Sequence, residues 1–123
     1  MKQHISAEQL SELTQEQLDR LWVWWMPSKG DWYYYPKINH VDVINSSLKT
    51  DLMNIKMGHS PLLSIGQCIE LLRDARGEYP GIFCLGKEAK WFIGETERKG
   101  KFYESDEHMG LIDALWQAVK EAL

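Results

Sequence analysis

No stretch of this 123-residue chain approaches the roughly 18 consecutive apolar residues of a membrane-spanning helix. The first residues, MKQHISAEQLSEL, lack the apolar core of a secretory signal, so the expected compartment is the cytoplasm. Cysteine is scarce. Cys68 and Cys84 sit inside the apolar strings QCIELL and IFCL, where reduced, buried thiols are expected. Charge of one sign is lacking as well. The net charge of −4 is spread as −2 over 1–31, +1 over 32–60, −1 over 61–86, 0 over 87–106 and −2 over 107–123. That distribution argues against direct nucleic-acid binding and against a strongly acidic mimic of DNA. The glycines at 77, 81, 86 and 94 are scattered, and none makes a phosphate-cradling loop that opens a helix. There is no internal repeat and no low-complexity segment.

What the chain has in excess is aromatic residues in one place. Seven of its fourteen aromatics lie between Trp22 and Pro36, in the string WVWWMPSKGDWYYYP. Leu18, Leu21, Trp22 and Trp25 follow the i, i+3, i+4, i+7 spacing of one helix face. Pro27 biases the residue before it away from helical geometry, so the helix is expected to end near Met26. Ser28 to Asp31 are turn residues. Trp32–Tyr35 is a short strand of high β propensity closed by Pro36. Alternation puts Trp32 and Tyr34 on one face and Tyr33 and Tyr35 on the other, so neither face is polar. Trp24 lies about 100° around the helix from Trp25, off the main apolar face. Two readings follow. Either the strand is central and covered on both sides, or one of its faces, with Trp24, is a binding or self-association surface.

Hydrophobic content of 44% and charged content of 26% are globular values, and the length suits a single domain spanning 1–123. Within it, Ser6–Gln9 and Thr14–Gln17 both match the capping-box pattern, which predicts either two helices over 7–13 and 15–26 or one helix kinked at Thr14, in an N-terminal helical segment spanning 1–26. A turn at 36–40 leads to a strand at 41–44 that pairs with 32–35. Residues 45–60 have no clean period, and are expected either to carry an edge strand at 51–57 or to form a mobile loop. Ser64 and Gln67 cap a helix with the stripe Ile65, Cys68, Ile69, Leu72, stopped at Gly77. Strands follow at 81–85, 89–95 and 101–104. A last helix over 107–123, capped by Ser105 or Asp106, carries Leu111, Ile112, Leu115, Trp116, Val119 and Leu123, while Ala114, Ala118 and Ala122 allow a close neighbour. The order α-α-β-β-α-β-β-β-α predicts an α+β fold with an antiparallel sheet of four to five strands packed against three to four helices.

Three segments, WWMPSKGDWYYYP, LLSIGQCIELL and LIDALWQAVKEAL, resemble small proteins encoded in phages and prophages of Gram-positive bacteria. The resemblance implies an accessory gene product acting in the cytoplasm of the host bacterium, against host defence or on host regulation. It carries no catalytic residue across.

The side chains themselves offer little chemistry. His40 and Asp42 share a strand face, and Asp106, Glu107 and His108 cluster at a helix start, but neither set has metal-ligand spacing, and no metal or cofactor is expected. No acid, base or nucleophile set converges, so an enzyme is not expected. Arg98, Lys99 and Lys101, on a mixed-charge turn beside Phe102 and Tyr103, are candidates for an anionic ligand, since rings stack on bases and cations hold phosphate. The expected function is therefore binding. The first reading is an inhibitor of a host protein, with Trp24, Trp32, Tyr33, Tyr34 and Tyr35 as contact residues. The alternatives are an oligomeric sponge for a nucleotide signal, using Arg98, Lys99 and Lys101, and a phage structural or assembly component.

Overall fold

A computed structural model describes residues 2–85, 87, 90–94, 103–107 and 109–123. It is α+β, and the chain divides into two compact units, His4–Ser64 and Lys2–Gln3 with Ile65–Leu123.

The first unit opens with two capped helices, α1 (Ala7–Leu10) and α2 (Gln15–Trp24). Both capping boxes form: Ser6 and Thr14 accept the amide protons of Gln9 and Gln17, whose side chains accept in return from the two cap amides. The helix α2 ends sooner than its apolar stripe suggests. Trp25 is already extended, at φ −68° and ψ 121°. The carbonyl it leaves unpaired accepts from Lys56 Nζ at 2.6 Å. Gly30, at φ +97°, and Asp31 make the turn into β1 (Trp32–Tyr35). The Asp31 carboxylate accepts from the Ser28 amide at 3.0 Å and from the Trp25 indole at 3.2 Å.

A 3-10 turn over Pro36–Ile38, with Asn39 in the left-handed region, leads to β2 (His40–Val43). The two strands pair antiparallel, Trp32 opposite Val43 and Tyr35 opposite His40. Residues 45–60 differ from both expectations for them. In place of an edge strand at 51–57 or a mobile loop stands a helix, α3 (Lys49–Lys56), and Ser60–Pro61 form a third strand, β3, beside β1. The sheet order is β2-β1-β3, so the aromatic strand is central. Ile5, Leu10, Leu13, Leu21, Trp25, Ile44, Pro61, Leu62 and Leu63 are buried in this unit.

In the second unit α4 (Ile65–Arg76) packs against α5 (Leu111–Ala122). Ala114 and Ala118 are fully buried, as close helix packing requires. The antiparallel sheet β4 (Gly81–Leu85), β5 (Lys90–Gly94), β6 (Tyr103–Glu104) lies with β5 and β6 against α5. The helix α5 starts at Leu111 behind Gly110, later than the expected 107. Ser105 serves the sheet instead of the helix: its Oγ accepts from the Trp91 amide at 2.7 Å, and its own amide donates to the Trp91 carbonyl at 2.9 Å. Cys68 is buried, but Cys84 is exposed on the edge strand β4, contrary to its apolar sequence setting. The described residues thus form two sheets of three strands, where the sequence suggests one of four to five. The third strand of the first sheet is two residues ending in proline, too short to read from the sequence, and 81–104 pairs within itself.

Candidate functional site

The four side chains of β1 are all half-buried, and each ring meets a neighbour. Trp32 stacks on His4 with ring centres 4.5 Å apart. Tyr34 donates its hydroxyl to Asn39 Oδ1 at 2.9 Å and lines a recess of about 200 Å³ with Leu10, Leu18 and Pro36. On the opposite face the His59 ring lies 5.0 Å from Tyr33 and 4.6 Å from Tyr35. His59 Nδ1 donates to the Ile55 carbonyl at 2.6 Å, which fixes its orientation.

Beside it, burial and then the Asp42 charge push the Tyr33 phenol above its ordinary value. Asp42 is held below the usual carboxylate range by the Val43 amide first and His40 second. Trp24 is half-buried and borders a shallow hollow with Glu16, Asp19, Arg20 and Val23. The lining of that hollow includes none of the β1 side chains. Arg98, Lys99 and Lys101 lie outside the described residues. Among the described residues no group of three or more His, Cys, Asp or Glu is placed to hold a metal ion. No described helix is long and apolar enough to cross a membrane.

A second apolar surface of the first unit lies elsewhere, in a groove between the end of α2 and the length of α3. It has a volume of about 380 Å³ and is lined by Trp22, Met26, Pro27 and one face of α3. That face is Lys49, Leu52, Met53, Lys56 and Met57, the i, i+3, i+4, i+7, i+8 set of a helix stripe. Met26 is 79% exposed, Met57 70%, Met53 59% and Trp22 38%. Three of the chain's five methionines thus line one solvent-facing groove.

The wall is fixed by Trp22 and Lys56. The Trp22 indole donates to the Lys56 carbonyl at 2.8 Å, and the Lys56 ammonium lies 4.6 Å from the centre of the same ring. Methionine is unbranched and polarizable, so such a wall reshapes itself around different apolar side chains at little cost. Chemically the groove can bind and orient. Among the described residues its only titratable lining groups are the two lysines.

Sequence periodicity misses this site because it assigns Trp22 to the buried face. The signal in the sequence is the apolar set Leu52, Met53, Met57 at helical spacing, with Met26 just before Pro27. No protein-family model, curated protein or solved structure matches the chain.

Proposed function

We propose that this chain is a non-enzymatic binding protein whose α2–α3 groove receives an apolar segment of another protein. The observation that carries the reading is the exposure of Met26, Met53 and Met57 around Trp22 in one groove. Isolated exposed apolar residues are ordinary on protein surfaces, whereas a concave set of them marks a recognition surface. A tryptophan held by a hydrogen bond and a cation in the wall of such a groove has the character of a binding hot spot. The resemblance of three segments to phage and prophage proteins supplies the biological setting of the proposal. The partner is a protein of the host bacterium, in its defence or its regulation, and the chain acts by occupying it.

The test is affinity purification from that bacterium with the wild-type chain and with a Met53→Asp, Met57→Asp double variant, read by native mass spectrometry. The expected result is a one-to-one complex with the wild type that is absent with the double variant, while the two chains melt at the same temperature. A partner retained by the double variant, or a wild-type chain that purifies alone, overturns the reading.

A further inference from the structure

The charge that lines the groove is one-sided. Among the described residues Lys49 and Lys56 are its only charged lining groups, and no described carboxylate lines it. They stand seven positions apart on the same face of α3, roughly 10 Å along the helix axis, with Leu52 and Met53 between them. Lys56 Nζ spends one of its three protons on the Trp25 carbonyl, and two remain for a ligand.

The walls also restrict the form of the occupant. Along α3 the backbone groups bond within the helix, so the α3 wall offers no edge for a strand to join. An apolar stripe two turns long beside a second helix end is instead the seat for a helix, with side chains at i, i+3 or i+4 and i+7 entering the groove.

We infer that the groove takes an amphipathic α-helix of a partner protein that presents apolar anchors at helical spacing and flanking carboxylates about two turns apart, which meet Lys49 and Lys56. This inference rests on the binding reading above and narrows it to one class of partner. The charges set orientation and selectivity, and the methionines and Trp22 supply most of the buried area. A basic amphipathic helix of the same apolar pattern is rejected, because its cations would face the two lysines.

The experiment is selection of a randomised helical-peptide display library on the full chain, with sequencing before and after. The expected clones carry an apolar stripe and Asp or Glu seven apart. Their synthetic forms bind the wild-type chain more weakly as salt rises, and lose about tenfold or more in affinity to a Lys49→Glu chain. Met53→Asp abolishes binding in the same assay, and an unchanged melting temperature shows that the exposed substitution leaves the fold intact. Enrichment of basic or uncharged helices that still depend on Met53 overturns the acidic partner and leaves the binding reading in place. Selected peptides indifferent to both Met53→Asp and Met57→Asp overturn both. Self-association of the chain that disappears with Met53→Asp assigns the groove to a second copy and likewise overturns the inference.

Discussion

Trp22 and Lys56 hold each other at two points. The indole nitrogen donates to the Lys56 carbonyl at 2.8 Å, and the Lys56 ammonium lies 4.6 Å from the indole centre while it bonds the Trp25 carbonyl. The pair joins α2 to α3 at the groove. Trp22→Phe removes the hydrogen bond and weakens the cation–ring attraction, and is expected to cost about 1 to 2 kcal/mol. Lys56→Met keeps the stem and removes the ammonium. The two changes together should cost less than their sum, because they share one interaction. Urea unfolding of the two single variants and the double variant measures the coupling.

The capping boxes give a second measurable term. Ser6→Ala and Thr14→Ala each leave an amide of the first turn without its side-chain acceptor. Each is expected to lower stability by about 1 kcal/mol. Circular dichroism melts of the two variants give the values, and the losses should add, since the two caps lie on separate helices.

The two thiols should separate cleanly. Burial pushes the Cys68 thiol up to about 12, so at neutral pH it is protonated and unreactive, whereas Cys84 is exposed. Iodoacetamide at neutral pH is expected to add once to the folded chain, at Cys84, and twice in denaturant. Peptide mapping identifies the site. Rapid double labelling of the native chain would refute the burial assignment.

Alkaline pH tests the tyrosines. The Tyr33 phenol is raised by burial and then by Asp42, and Tyr103 by burial and then by Asp106 and Glu121. Both raised values favour the neutral phenol in the folded state. Their contribution is therefore fully present below the ordinary tyrosine value of about 10 and is lost as pH rises through the higher folded values. The melting temperature should fall in that alkaline range, and Tyr33→Phe with Tyr103→Phe should flatten the fall. In Asp42→Asn the Tyr33 phenol should titrate lower, as read by phenolate absorbance.

Much of the α+β order is written in local chemistry. The paired boxes at Ser6 and Thr14 start their helices where the sequence places them, and Trp32–Tyr35 is a strand with the expected bounds. The helix α3 is not legible in this way. Leu48 before it makes no side-chain cap, and its string KTDLMNIK turns Met53 to solvent, so the apolar periodicity that signals a buried face is weak. The groove is hidden for a related reason. Hydrophobic spacing reports which residues share a face but not whether another element covers that face, and only the folded chain shows Met26, Met53 and Met57 turned to solvent. The later start of α5 has its cause in the sheet, where Ser105 is committed to Trp91 across a gap in sequence that no local pattern spans.

The aromatic strand also bears on how the hairpin finds its alignment. Where one face of a strand is apolar and the other polar, a slip of one residue is penalised along its whole length. In β1 a slip only exchanges Trp32 and Tyr34 for Tyr33 and Tyr35, and that penalty nearly vanishes. The alignment must then come from the ends. At one end Asn39, at φ 49°, closes the turn and accepts the Tyr34 hydroxyl. At the other, Gly30 donates to the Ile44 carbonyl at 2.7 Å, and Ile44 donates back to Asp31 at 2.8 Å. A β-branched residue at 39 would disfavour that left-handed turn and let misaligned hairpins compete during folding, so Asn39 acts as the proofreader of a strand whose own pattern tolerates error.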